Sequence, residues 1–135
     1  VIITDIQHSP YISRLSFIDP DGVEVRNYDL ANNIPDGIYE FYTDDTFKML
    51  YMKGTITGGK KEGQWFFYNP EGLLLMVTNY LSGEKNGEEK LYYRDGSPME
   101  ERNYNIGILD GKRTTYRPDG SVGEEYYFEN GIIKK

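Results

Sequence analysis

The amino-acid sequence predicts an all-β fold, an elongated single-sheet antiparallel meander of about five β-hairpin repeats with a 24-residue period. Glycines recur at a fixed spacing, and an aromatic residue follows them in each copy. Turn sequences containing Pro, Asp and Gly separate short aromatic or β-branched runs. A repeat of this length predicts that each hairpin contacts mainly its neighbours along one twisted sheet.

The glycines define the period. Four positions of the unit recur at a spacing of 24 residues. The first glycine recurs as Gly63, Gly87 and Gly111, and a tyrosine recurs as Tyr68, Tyr92 and Tyr116. The turn glycine recurs as Gly72, Gly96 and Gly120, and the closing glycine as Gly83, Gly107 and Gly131. Of the fifteen glycines, twelve fall in three such columns. Neither GxGxxG nor a P-loop spacing occurs, so the columns indicate structural positions that need positive φ in turns.

The whole chain, residues 1–135, is predicted to form one repeat domain. A degenerate first repeat at 13–36 precedes the repeats 37–62, 63–86, 87–110 and 111–135. Repeat 37–62 has 26 residues, because two extra residues lie between Thr46 and Ile56.

The hairpin turns have the composition of a type I turn followed by a glycine bulge. They are Asp19-Pro20-Asp21-Gly22, Asn69-Pro70-Glu71-Gly72, Arg94-Asp95-Gly96 and Arg117-Pro118-Asp119-Gly120. Flanking runs such as 65–68 and 124–128 are rich in aromatic residues and too short for helices. The sequence therefore predicts strands on both sides of each turn.

Composition argues against several classes of partner. The formal net charge is −7, and no stripe of Lys or Arg is present to neutralise phosphates, which argues against nucleic acid and an anionic membrane surface. The same charge would assist capture of a cationic protein. The longest apolar run, 73–77, is too short to span a bilayer, and without Cys neither disulfides nor thiolate metal sites can form. The sequence shows no signal-peptide pattern, and it begins with Val rather than Met.

No catalytic constellation, cofactor site or metal site is expected. The single histidine, His8, lies outside the repeats and cannot form a triad without a partner. The carboxylate pairs 88–89, 100–101 and 124–125 are a glycosidase-like alternative, with Glu89 expected roughly opposite Glu100 or Glu101. Neighbouring strand residues point to opposite faces, so these carboxylates are expected to be solvated, with contact to a cation such as Ca²⁺ as a lesser alternative.

Strand alternation divides each repeat between two faces. One face carries Tyr39 and Phe41, Trp65 and Phe67, Glu89 and Leu91, and Arg113 and Thr115, so it changes from apolar to polar along the chain. The other face, called the tyrosine face here, carries the predicted binding residues Tyr42, Phe66, Tyr68, Tyr92 and Tyr116. Cross-strand packing explains one ring per hairpin, whereas an added Phe66 suggests an aromatic platform for a partner.

The unit G-x-W-x-x-Y-x-x-x-G, seen best from Gly63 to Gly72, resembles the MORN-repeat variant of bacterial proteins of the YwqK antitoxin type. Glu89 and Arg113 depart from it, because they stand where an aromatic residue is expected. The resemblance implies an extended sheet that mediates protein contacts, in some relatives as an immunity partner of a toxin. Such repeats also occur in exported bacterial proteins, which slightly favours an envelope or exported location over the cytoplasm.

Two functions follow as expectations. The first is a non-catalytic protein-binding module, an immunity-like or envelope assembly protein, with self-association as a further option. The second is glycan or cell-wall binding, since Trp65 to Gly72 followed by Met76 is also similar to choline-binding repeats. The run 73–77 is apolar towards both faces and needs a cover, either residues 1–18, a second copy or another protein.

Overall fold

A computed structural model describes residues 14–26, 33–44 and 46–134, and over these ranges the chain forms one open antiparallel sheet without helices. Its strands are β1 (Arg14–Ile18), β2 (Glu24–Arg26), β3 (Gly37–Tyr42), β4 (Leu50–Thr57), β5 (Lys60–Tyr68), β6 (Leu74–Leu81), β7 (Glu84–Tyr92), β8 (Pro98–Asn105), β9 (Ile108–Leu109), β10 (Gly111–Tyr116), β11 (Val122–Glu129) and β12 (Ile132–Lys134). The predicted all-β hairpin meander is confirmed.

Strands adjacent in sequence are adjacent in the sheet over most of its length. The order is β12-β11-β10-β8-β7-β6-β5-β4-β3-β1-β2. Because β9 and β10 both pair with β8, they together replace a single long strand such as β5 or β7.

The first repeat departs from this simple order. Strand β3 pairs with β1 rather than with β2, which leaves β2 at the edge of the sheet. Five residues of β1 match β3, and the Phe17 ring consequently stacks on Tyr39 with 4.7 Å between centroids. Strand β2 spans three residues, so pairing of β3 with β2 would extend the aromatic stack less far than its pairing with β1 does.

The predicted turns are present, with Asn69 as a clear example. Its side-chain oxygen accepts hydrogen bonds from the N–H groups of Glu71 and Leu73, both at 2.9 Å, and its carbonyl accepts one from Gly72. Gly72 has a φ of +82°, as the glycine bulge requires. The first glycine column differs from the expectation, since Gly87 lies inside β7 rather than in a turn. Its φ of +95° accommodates a break in the register between β6 and β7.

The hydrophobic core lies on the face that carries Tyr39, Phe41 and Trp65, called the core face from here on. Six buried side chains form it, namely Phe17, Tyr39, Phe41, Met52, Ile56 and Trp65. The rings continue as a stack from Tyr39 to Phe41 at 5.8 Å and from Phe41 to Trp65 at 6.2 Å. The indole N–H of Trp65 donates to the carbonyl of Thr55 at 3.0 Å, so this buried ring leaves no polar atom unpaired.

Candidate docking surface

The five predicted binding residues lie on one face of the sheet. Cross-strand pairs connect a single row of side chains, Glu40, Lys53, Phe66, Val77, Lys90, Glu101 and Thr114. The residues Tyr42, Tyr68, Tyr92 and Tyr116 follow this row by two positions on their strands, so they share its face. All five predicted side chains are half-buried.

We call the series of five predicted binding residues the ladder. The residues at its two ends, Tyr116 and Tyr42, form hydrogen bonds and ring contacts within the chain. The Tyr116 hydroxyl donates to Glu101 at 2.7 Å, and this bond is the main cause of a raised Tyr116 pKa. At the other end Tyr42 meets the Phe47 ring edge-on at 5.3 Å. Burial first, and then the charge of Glu40, raise the pKa of Tyr42. These two tyrosines therefore already have partners within their own chain.

The middle of the ladder is surrounded by open grooves. One groove of about 250 Å³ is lined by Phe66, Leu74, Val77 and Tyr92 together with the polar residues Gln64, Asn79, Glu88 and Lys90. A second groove of about 250 Å³ shares Leu74 and Tyr92 with the first and continues to Leu73 and the turn glycine Gly96. The shared residues make the two grooves one continuous depression.

A pocket of about 410 Å³ lies next to this depression, and we call it the loop pocket. Its lining consists of Thr43, Lys48, Met49, Leu50, Tyr51, Tyr68, Asn69, Pro70, Glu71, Gly72 and Leu75. Its volume is within the range typical of ligand sites. Tyr68 pairs with Leu74 across β5 and β6, which places the pocket beside the depression.

The loop that follows β3 forms one wall of the pocket, and Asp44 fixes its shape. The Asp44 carboxylate accepts hydrogen bonds from the N–H groups of Met49 at 2.8 Å and Lys48 at 3.2 Å, and from Thr46. The bond from the Thr46 side chain is the main cause of a lowered Asp44 pKa. The other repeats have a shorter turn here, so the two-residue insertion of repeat 37–62 supplies this wall.

Phe66 lies at the centre of the surface with a cation on one side. The Lys53 ammonium is 5.5 Å from the centroid of its ring, and Val77 is its cross-strand partner. Lys90 follows Val77 in the same row and forms an ion pair with Glu88 at 3.4 Å. The apolar centre is therefore bordered by a lysine on each side.

Sequence reasoning missed the leucines and the pocket residues of this surface. Leu73 and Leu75 are exposed, and Tyr51 and Met49 line the loop pocket. Two signals were available, namely the apolar run 73–77 and the insertion in repeat 37–62. Neither signal specified which side chains would converge.

Glu89 and Glu100 are buried on the core face rather than solvated, which corrects the sequence expectation for these two carboxylates. Glu89 is fully buried and pairs with Arg102 rather than with Glu100 or Glu101. Its carboxylate accepts from Thr78 at 2.8 Å and is paired with Lys85 at 2.9 Å and Arg102 at 3.2 Å. Because Glu89 occupies the repeat position of Trp65, an ionic cluster continues the aromatic core.

Glu100 belongs to the same cluster and is held in its charged form. Burial raises its pKa, but hydrogen bonds from Arg113, at 2.9 Å, and from Arg102 outweigh burial, and the pKa is lowered. A general acid needs a raised pKa. The geometry around Glu100 therefore does not support a glycosidase-like role for this carboxylate.

The aromatic rings that converge on the core face already surround a cation, the ammonium group of Lys61. The Lys61 ammonium lies 4.9 Å from the ring centroid of Tyr80, 5.2 Å from that of Trp65 and 5.6 Å from that of Phe67. A choline-type ligand would need such a cage to be open.

His8 and the rest of residues 1–13 lie outside the described residues. Of the segment 1–18, which was a candidate to cover the run 73–77, the described part 14–18 forms strand β1 of the sheet beside β3. Within the described ranges, no three His, Cys, Asp or Glu side chains group in a way that could hold a metal ion. The same part of the chain contains no helix long and apolar enough to cross a membrane.

Comparison with protein-family models gave no match, and comparison with curated protein sequences gave none either.

Proposed function

We propose that this chain is a non-catalytic protein-binding repeat module whose partner docks on the middle of the tyrosine face. The docking surface, called the platform here, consists of Phe66, Tyr68, Leu74, Leu75 and Tyr92. One observation carries the proposal: a continuous depression and an adjoining pocket converge on the hairpin formed by β5 and β6. Aromatic residues in such concave apolar surroundings are the usual anchors of protein interfaces.

The proposal ranks the predicted residues differently along the ladder. Tyr68, Tyr92 and Phe66 line open depressions and are assigned direct contact with the partner. Tyr42 and Tyr116 are assigned the margins, because their rings or hydroxyls are already engaged.

The proposal also includes the biological role of the module and the charge of its partner. The resemblance to the MORN-repeat variant of the YwqK antitoxin type favours an immunity-like or envelope assembly role. A net charge of −7 favours a partner that is cationic overall, which would speed association through long-range attraction. At close range, Lys53 beside Phe66 favours an acidic group at the border of the partner's contact area.

The alternative of glycan or cell-wall binding has weaker support. Aromatic rings are available on both faces, but the cage suited to a choline-type cation already holds Lys61. A sugar would therefore have to stack on the platform itself.

Capture from a lysate of the native cell tests the proposal. Immobilised wild-type protein is compared with Leu75→Ser, which alters an exposed platform residue, and with Val23→Ser, an exposed residue remote from the platform. We expect the wild type and Val23→Ser to retain the same partner protein and Leu75→Ser to lose it. Retention of wild type on peptidoglycan beads without any protein partner would favour the alternative. Equal retention of the partner by all three proteins would contradict the platform.

The non-catalytic part of the proposal has its own test. We expect no turnover of glycan or ester substrates, and Glu101→Gln should leave function unchanged, because an amide oxygen can still accept the Tyr116 hydrogen bond. Any hydrolysis that Glu101→Gln abolishes would overturn it.

A further inference from the structure

The loop pocket recurs one repeat further along the chain. The second groove of the depression, called the turn groove here, is lined by Leu73, Leu74, Tyr92, Arg94, Asp95 and Gly96. Each of these six residues lies 24 positions after a residue that lines the loop pocket, namely Met49, Leu50, Tyr68, Pro70, Glu71 and Gly72. The loop pocket and the turn groove are therefore equivalent sites in successive repeats.

A further shift by 24 residues does not continue this apolar lining. Ser97 and Pro98 then stand in place of Leu73 and Leu74. The tyrosine of that position is Tyr116, whose hydroxyl already donates within the chain. The series of apolar sites therefore ends with the turn groove, and a partner would meet two equivalent sites.

The distance between the two sites follows from the sheet. Their equivalent residues are two strands apart, since Leu50 and Leu74 lie on β4 and β6, and Tyr68 and Tyr92 on β5 and β7. Neighbouring strands are about 4.8 Å apart, so the two sites are about 9.6 Å apart. A polyproline II chain has about three residues per turn and a rise of about 3.1 Å per residue, which places residues i and i+3 on one side, about 9.3 Å apart. Two such residues therefore match the spacing of the sites.

Each site contains a tyrosine whose hydroxyl has no hydrogen-bond partner among the described residues. These tyrosines are Tyr68 and Tyr92, whereas the hydroxyls of Tyr93 and Tyr116 donate within the chain. A polyproline II backbone has no internal hydrogen bonds, so its carbonyl groups can accept from such hydroxyls. An α-helix also presents side chains about 10.5 Å apart, at positions i and i+7, but its carbonyl groups are used within the helix. The free hydroxyls therefore favour the polyproline II form.

The charges at the two sites differ in sign. Lys48 in the loop pocket is exposed and has no ion pair within the described ranges, and the nearby Asp44 carboxylate accepts from N–H groups of its own loop. In the turn groove Arg94 is paired with Glu71, which leaves Asp95 as the charge without an ion pair in the described part of the chain. Charge complementarity therefore favours an acidic residue beside Lys48 and a basic residue beside Asp95.

We propose that the partner binds through a proline-rich segment in the polyproline II conformation, with apolar side chains at positions i and i+3. One of these side chains enters the loop pocket and the other enters the turn groove, between an acidic residue at the Lys48 end and a basic residue at the Asp95 end. Such segments bind aromatic-lined grooves at a low entropic cost, because their conformation is already formed. This inference rests on the proposed function, since Tyr68, Leu74 and Tyr92 belong to the platform.

A fluorescently labelled peptide of the pattern E-P-L-P-P-L-P-R tests this inference by anisotropy against the full chain. Its leucines stand at i and i+3 between an acidic and a basic residue. The control peptide E-P-L-P-P-P-L-R has the same composition, but its leucines stand at i and i+4 and point in different directions. We expect saturable binding of the first peptide and at least tenfold weaker binding of the control. Equal affinities, or no binding of the first peptide up to about 1 mM, would overturn the inference.

Two conservative variants test the role of the hydroxyls. Tyr68→Phe and Tyr92→Phe should each weaken binding of the first peptide by about three- to tenfold, as the loss of one hydrogen bond does. Tyr127→Phe, at an exposed tyrosine outside both sites, should leave the affinity unchanged. Unchanged affinity in both Tyr68→Phe and Tyr92→Phe would overturn the inference.

Capture of the partner from the lysate separates a failure of this inference from a failure of the proposed function. If Leu75→Ser loses the captured partner but the first peptide does not bind the wild type, the proposed function stands and this inference is overturned. Equal capture by wild type and Leu75→Ser would contradict the proposed function, and this inference with it. Saturable binding of chitotetraose without binding of the peptide would overturn the inference in favour of the glycan alternative.

Discussion

Gly54 lies directly under the Trp65 ring, and Gly54→Ala should disturb the core more than any exposed substitution. A methyl group added at Gly54 would lie 2.2 to 2.5 Å from three ring atoms of Trp65. Ordinary carbon contacts are about 3.5 to 4.0 Å, so the ring would have to retreat by more than about 1 Å. Trp65 is fully buried, stacks on Phe41 and donates to Thr55, so it has little room to move.

The expected cost follows from this geometry. Overpacking a core typically costs about 1 to 3 kcal/mol, and a clash with a fully enclosed ring belongs at the upper end, about 3 kcal/mol. For a chain of this size, 3 kcal/mol corresponds to a fall in melting temperature of roughly 10 °C.

Thermal unfolding and tryptophan fluorescence measure this effect together. Trp65 is the single tryptophan of the chain, so its emission reports on this site alone. We expect Gly54→Ala to lower the melting temperature and to shift the emission to longer wavelength. In a Trp65→Leu background, the same glycine substitution should cost much less. Unchanged melting and emission in Gly54→Ala would refute the packing of Trp65 on Gly54.

Three further predictions concern a turn and two titrating groups. Gly96→Val should cost about 1 kcal/mol or more, because Gly96 has a φ of +89°, and coincident melts of mutant and wild type would contradict the turn geometry. The lowered pKa of Glu100 means that its charged form stabilises the fold above the unfolded pKa near 4.5, and that this contribution is lost as the pH falls through the folded pKa. The stability difference between wild type and Glu100→Gln should accordingly narrow between pH 6 and pH 3, roughly, and a constant difference would contradict the ion pairs. Burial, followed by the nearby Glu89 and Tyr104, raises the pKa of Tyr80 from 10.0 to about 12, so its contribution to stability is lost as the pH rises through that range. Ultraviolet titration of the wild type should show a phenol that ionises only at high pH and that is absent in Tyr80→Phe. Identical titration curves of the two proteins would contradict the burial of Tyr80.

The fold was predictable because glycine and turn chemistry act locally. Positive φ at Gly72 and the Asn69 side-chain bonds depend on a few neighbouring residues, so the sequence spacing specified them. The pairing of β3 with β1 was not predictable, since it depends on stacking between Phe17 and Tyr39, which are distant in sequence.

The candidate surface was predictable in part. Alternation placed Phe66 and Tyr92 on one face, but the loop pocket depends on the conformation that Asp44 gives to an irregular loop. The burial of Glu89 escaped prediction for a similar reason. A carboxylate can be buried only where cations such as Arg102 and Lys85 reach it, and their approach depends on the exact register of β7 and β8.

Phe66 provides the most direct test of the platform. Its neighbour Phe67 points to the core face and packs against the core cluster, so Phe67→Ala is a matched control that removes the same ring from the opposite side. The test measures both the melting curve and the dissociation constant for the captured partner on each variant.

We expect opposite outcomes for the two variants. Phe66→Ala should weaken partner binding by about 2 kcal/mol, roughly thirtyfold, while lowering folding stability by much less than the ~3 kcal/mol typical of a buried Phe. Phe67→Ala should lower stability and leave the affinity nearly unchanged. A large loss of stability in Phe66→Ala with unchanged affinity would contradict the platform and make Phe66 a packing residue.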